Sequence, residues 1–134
     1  TATPSACCAR CDVCQMDLSY QAVAGRDFSG ARIRQADLSL ATADHARFRG
    51  ANMSLTNFFG ARLAHADMSE TNLEQATLVG AYLGYVNFSG AVMAGANLSG
   101  AELTGATGLT QAQLNTACGD ATTVLPGGFT IPTC

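Results

Sequence analysis

The sequence predicts an all-β solenoid, a rod of short extended sides stacked on one another. Three observations carry this expectation. A five-residue pattern runs from Leu18 to Leu103, all but one unit centred on a large apolar residue and all but the first three, with Met16, Gln21 and Arg26, carrying a small one two places before it. That period is neither the 3.6 of a helix nor the 2 of a plain strand. The six cysteines stand only at the ends, at Cys7, Cys8, Cys11, Cys14, Cys118 and Cys134, where an open-ended rod needs closing.

The centres, in steps of five from Leu18, are Leu, Val, Phe, Ile, Leu, Ala, Phe, Met, Phe, Leu, Met, Leu, Leu, Leu, Phe, Met, Leu and Leu. Only Ala43 is small, leaving room beneath Leu63. Two places earlier the residue is Ala, Thr or Val from Ala31 onward. Residues two apart on extended backbone point the same way, so the small and large positions face inward together. The residue between them, often Asp or Asn, faces water. The remaining two turn the chain, and the Gly, Ser and Asn found there form turns readily. Each unit is therefore one side plus one corner.

In the idealised form A(D/N)LxG, the pattern resembles the pentapeptide-repeat family over about residues 16 to 107. The resemblance implies a right-handed quadrilateral parallel β-helix with four units, or twenty residues, per coil. It divides the chain into a Cys-rich N-terminal cap (1–15), a β-helix of about 4.5 coils (16–107) and a C-terminal helix and tail (108–134). With strands roughly 4.8 Å apart, the rod is on the order of 20 Å long. Residues twenty apart then form columns: Phe28, Phe48, Met68 and Phe88 in one, and Leu18, Leu38, Phe58, Leu78 and Leu98 in another.

A solenoid exposes core and unpaired backbone at its ends, so caps are expected. In GLTQAQLNTACG, Thr110 reads as an N-cap and Gln113 completes a capping box. Leu109 and Leu114 occupy the positions of a hydrophobic staple, and Gly119 suits a left-handed stop. The expected helix runs from about Gln111 to Ala117, with Leu114 and Ala117 on the last coil and Leu125, Phe129 and Ile131 anchoring the tail. Disulfide partners need Cα atoms within roughly 7 Å, and the rod separates the two cysteine groups by more than that. Cys118 is therefore expected to pair with Cys134, and Cys7, Cys8, Cys11 and Cys14 among themselves. Two connectivities stay open: Cys7–Cys11 with Cys8–Cys14, or Cys7–Cys14 with Cys8–Cys11.

Composition narrows the function. Seven arginines, no lysine and ten acids leave a net charge of −3, too mild for a nucleic-acid binder. No apolar run approaches the roughly 18 residues of a membrane helix. The chain starts at Thr1 without a methionine, as expected of a mature protein or of one whose leader has been left off. Cysteine staples suggest an oxidising compartment.

Candidate chemistry is sparse. Cys8-x2-Cys11-x2-Cys14 has metal-ligand spacing, but no fourth cysteine follows until Cys118, and adjacent Cys7 and Cys8 fit poorly around one tetrahedral ion. His45 and His65 are weak metal candidates: they should stack, with Asp44 beside them and Tyr85 next in their column. Acid–base or nucleophilic catalysis needs groups converging in a pocket, and a filled rod offers none. No catalytic residue and no cofactor is expected. Asp27, Arg47, Asp67 and Asn87 form an outward column of alternating charge, and Arg32, Arg34, Arg47 and Arg49 a mildly basic region.

Leu40, Phe59, Val79, Tyr82 and Tyr85 break the polar rule at outward positions and are expected around one corner of the second to fourth coils. Such a group marks a protein partner surface. The expected role is a non-catalytic structural or interaction module, exported, and a peripheral subunit or assembly factor of a larger complex. It binds protein rather than nucleic acid and sits beside a membrane complex at most. By the resemblance the compartment is a periplasm or thylakoid lumen, with cytoplasm as the alternative. The resemblance also implies an alternative role, a DNA mimic protecting type II topoisomerases, but that needs a more acidic rod. A cysteine-based metal-binding module is the other alternative.

Overall fold

The structure, a computed structural model, describes Asp12 and residues 14–134. Parallel β-bridges join residues twenty apart at every fifth position, from Asp12↔Arg32 to Asn87↔Thr107. The chain is thus a repeat solenoid of short extended sides separated by two-residue corners.

The core is built from the two inward positions. The large centres from Leu18 to Leu103 are buried, and so are the small residues Ala31, Ala41, Ala51, Ala61, Ala81 and Ala101 that let the sides approach. Bulk stacks within columns. Phe28 lies parallel to Phe48 at 5.2 Å between ring centroids, and Phe58 meets Phe48 edge-on at 6.2 Å. Thr56 and Thr71 replace alanine at inward positions, where their hydroxyls donate to the carbonyls of Ile33 and Met68.

Hydrogen bonding explains the polar positions. In the unit 36–40, Ala36 N–H donates to Ile33 across the corner, and Asp37, Leu38 and Leu40 donate to neighbouring coils. The fifth N–H, of Ser39, donates to Asp37 Oδ1 at 2.9 Å. Every N–H of the unit is thereby satisfied, as a packed backbone requires. Asn52, Asn57, Asp67, Asn72, Asn87 and Asn97 accept from the residue two places on in the same way. The Asp or Asn that reads as merely water-facing is therefore the lock of its corner.

Each corner ends in a left-handed residue. Every fifth residue from Gln15 to Gly105 has φ between 55° and 74°. Glycine takes this conformation freely, which accounts for its frequency. Tyr20, Leu40, His45, His65 and Tyr85 adopt it too, so the fold imposes it without glycine.

The C-terminal end is closed by α1 (Gln111–Thr116), with Thr110 and Gln113 forming the capping box. Gln113 also donates through Nε2 to the carbonyls of Phe88 and Ala91, both at 3.0 Å, on an edge where no further coil lies. The helix is one residue shorter than expected because Ala117 is already extended. Gly119 is no left-handed stop. It bridges Thr133, and a Cβ there would stand 2.7 Å from Thr123 Oγ1 and 3.1 Å from Ile131 Cγ2, so its role is close packing. Leu109, Leu125, Phe129 and Ile131 lie half-buried against the core.

Candidate functional site: an outward apolar surface

Outward residues on such a rod occupy corners or the middle of a side, and the five singled-out residues divide between these. Leu40, 42% exposed, stands at the left-handed corner position. Its side chain runs along the rod beneath Gly60, where a Cβ would come within 2.8 Å of Leu40 Cδ2. Phe59, 48% exposed, sits one place before Gly60 on that corner, its N–H held by Asn57. Val79, a coil above Phe59, is only half-buried rather than fully outward. Tyr20, 75% exposed, lies a coil below Leu40 and extends the same corner. The twenty-residue spacing from Leu40 was the signal that sequence reasoning passed over.

Tyr82, 52% exposed, stands mid-side in the column Thr42, Arg62, Tyr82, Glu102. The Arg62 guanidinium lies 5.6 Å from its ring centroid, a cation–π contact that holds the ring. Tyr85, 58% exposed, does not share the first corner. It stands on the next one, with the Tyr82 side between, and stacks on His65 at 5.0 Å with His65 on His45 at 4.9 Å. The surface is one corner and its adjoining side, reaching a second corner at Tyr85. Leu55, Val92 and Val124 are further exposed apolar residues outside the expected group.

The histidine column has no chelating geometry. His45 and His65 lie within 3° of parallel at 4.9 Å. Ring nitrogens donate to a metal in the ring plane, and at a metal–nitrogen distance of about 2.1 Å the two can be at most about 4.2 Å apart. Asp44 is engaged elsewhere, accepting from Ala64 N–H at 3.1 Å and lying 4.0 Å from Arg62 Nε. It locks the corner above, where Arg62 stands in the place of an Asp or Asn. Among the described residues no group of three or more His, Cys, Asp or Glu is placed to hold a metal.

Of the N-terminal cysteines, Cys7, Cys8 and Cys11 lie outside the described residues. Cys14 is exposed with an unbridged thiol, against the expectation that it pairs. Desolvation and the adjacent Asp12 carboxylate raise its pKa, so it is a reluctant nucleophile. Cys118 and Cys134 form a disulfide, their Cα atoms 4.8 Å apart.

The charged residues are locally engaged. Arg32 pairs with Asp12 at 2.9 Å and Arg47 with Asp27 at 3.6 Å. Arg49 donates to Ser69, and Arg34 to Gln35. The four arginines thus fall on different columns rather than one basic patch. Asp17 and Asp27 accept from both the hydroxyl and the N–H region of the following serine, which lowers their pKa values. A separate shallow depression between Arg34, Ser54, Asn72 and Glu74 contains no nucleophile paired with a base.

Comparisons with known proteins agree with this architecture. The family described as "Pentapeptide repeats (8 copies)" matches residues 27–58, 56–93 and 71–107. The structure is similar to a pentapeptide repeat protein from the Arabidopsis thaliana thylakoid lumen, at 29% identity and a TM-score of 0.66 over 75% of this chain and 66% of that one. It is similar to HetL, involved in heterocyst differentiation regulation in the cyanobacterium Nostoc, at 24% identity and a TM-score of 0.50 over 72% and 62%. A trypsin-treated form of QnrB1, a plasmid-mediated fluoroquinolone resistance protein, matches at 20% identity and a TM-score of 0.40 over 81% and 65%. The chain spans just under two thirds of each of these proteins. Among curated proteins none matches. With eighteen units centred from Leu18 to Leu103 and the family matched across residues 27 to 107, the chain belongs to the pentapeptide-repeat family.

Proposed function

We propose that the chain is a non-catalytic protein-interaction module. The rod is right-handed and four-sided, of about 4.5 coils over residues 16–107, between an N-terminal cap (1–15) and a C-terminal cap (108–134). It is exported to a periplasm or thylakoid lumen and serves there as a peripheral subunit or assembly factor of a larger complex. The likeness to a thylakoid-lumen protein supports the compartment, as does the Cys118–Cys134 disulfide. No helix among the described residues is long and apolar enough to cross a membrane.

One observation carries the reading. Leu40, Phe59 and Tyr82 are exposed at positions where most other coils carry small or polar residues: Gly60, Gly80 and Gly100, then Ser19, Ser39 and Ser99, then Thr42, Arg62 and Glu102. Packing of the rod does not require them, and contiguous exposed apolar surface marks a binding face. Val79 and Tyr85 flank that face. The partner is a protein. The ion pairs of Arg32 and Arg47 interrupt the acidic columns and count against a DNA-mimicking surface. The test is co-purification from the native compartment with Phe59→Asp and Tyr82→Asp variants. Loss of the wild-type partner with the fold intact supports the face, and undiminished partner recovery overturns it.

A further inference from the structure

Above the last regular coil the chain continues the parallel ladder in two steps. Cys118 bridges Asn97 and Val124 bridges Glu102, so they stand where a further coil would stand. Residues 132–134 then lie on Gly119: Gly119 N–H donates to Pro132 at 2.8 Å, and Cys134 N–H donates to Gly119 at 3.0 Å. The tail thus pairs, within its own chain, a strand edge that would otherwise be open. Open edges recruit other strands.

Little besides the disulfide keeps the tail there. Up to Val124 the segment is bonded to Ala101 and Leu103 of the last coil, but from Leu125 on its other holds are the two bonds with Gly119, an exposed amide exchange between Gln111 and Thr130 and the half-buried side chains Leu125, Phe129 and Ile131. Against them stands the cost of ordering the whole segment after Val124, residue by residue. The disulfide closes a loop with a sequence separation of 16. In the chain-entropy account, a loop of that length favours the closed arrangement by roughly a hundredfold. Cys134 is exposed, so its sulfur can be reached from solvent.

We propose that Cys118–Cys134 is a redox latch on this edge. A thiolate of a dithiol reductant attacks Sγ of Cys134, and Cys118 leaves and takes a proton. The reductant's second thiol then displaces Cys134. Two electrons and two protons pass to the protein, the reductant becomes a disulfide, and the segment 125–134 detaches from Gly119. The coils keep their fold, because the rungs that Cys118 and Val124 make with the last coil lie before the detached residues. The latch does not depend on the apolar docking face.

Hydrogen exchange on the full chain, with and without dithiothreitol, tests this. Alkylation and mass measurement confirm that Cys118 and Cys134 have been reduced. Exchange at Gly119 and in residues 125–134 should accelerate by roughly a hundredfold, while residues 36–96 stay protected. A Cys118→Ser variant should match the reduced protein without reductant, and if it fails to fold, reduction of the folded wild type still decides. Unchanged tail protection after reduction overturns the proposal. So does loosening of the whole rod, which would make the bond a global staple, and so does a bond that resists reductant while the rod is folded.

Discussion

Phe58 and Phe59 are chain neighbours of one residue type, and the fold gives them opposite fates. Phe58 is fully buried and meets Phe48 edge-on, whereas Phe59 is 48% exposed. Truncating a buried phenylalanine to alanine costs about 3–5 kcal/mol, cavity included. The lost aromatic contact is about 0.5–1.5 kcal/mol of that. Full burial of a large apolar side chain is worth about 1.5–3 kcal/mol, so half-burial sets the cost of Phe59→Ala near about 1 kcal/mol. The two variants should differ by about 2 kcal/mol or more. Urea unfolding followed by circular dichroism resolves that gap, since denaturant slopes are about 1–3 kcal/mol per molar. Equal losses, or a larger loss for Phe59→Ala, would refute the reasoning, because a one-residue slip exchanges inside for outside along the whole side. The same experiment establishes that Phe59 variants are folded before their binding is measured.

Gln113→Ala removes the donor to Ala91, a buried residue whose carbonyl has no other donor among the described residues, and breaks the capping box; a loss of about 1–3 kcal/mol in urea unfolding is expected. Gly108→Ala should be more damaging than Gly50→Ala, because a Cβ at Gly108 stands 2.5 Å from the Ser89 backbone nitrogen while one at Gly50 meets nothing within 4 Å, and melting temperatures rank the two. The folded-state pKa values of Asp17, Asp27, Glu102 and Asp120 are lowered by hydrogen bonds to the residues two places on. Their stabilisation is therefore complete above the ordinary carboxylate range near about pH 4 and is lost as pH falls through the lowered values. Asp17→Asn with Asp27→Asn, whose amide oxygens can still accept, should keep the neutral-pH fold and reduce acid sensitivity in a melting series from pH 6 to pH 2.

The pattern of small and large residues made the solenoid legible, because inward positions obey packing and packing repeats. Columns followed from the twenty-residue coil, hence the stacking of Phe28 on Phe48 and of His45, His65 and Tyr85. Thr110 and Gln113 announced the helix start because a capping box is a local device. What escaped depends on partners far along the chain. Nothing local tells that Asp44 serves Ala64, or that Gln113 serves Phe88 and Ala91. Gly119 misled because glycine marks both a left-handed stop and a close approach, and only the returning tail decides between them. Tyr85 was assigned to the wrong corner although the twenty-residue spacing that stacks it on His65 also fixes its corner as the one after Phe59 and Val79.

The freedom of outward positions separates fold from function here. Inward positions and corner locks account for the backbone hydrogen bonds and the core, and they leave the middle of each side and the first corner residue open. The column of Tyr82 also holds Thr42, Arg62 and Glu102, and that of Phe59 holds Ser39 and Ser99. A phenylalanine half in water lowers solubility and gives the rod little in return. Its neighbours make it part of a surface: Leu40 laid flat beneath Gly60, and Tyr82 held under Arg62. Held rings and a rigid backbone lose little freedom on binding, which is the condition under which a small apolar face binds tightly. Arg62→Ala therefore offers a separate handle. It should leave the area of the face nearly intact, free the Tyr82 ring, and weaken partner binding through the dissociation rate.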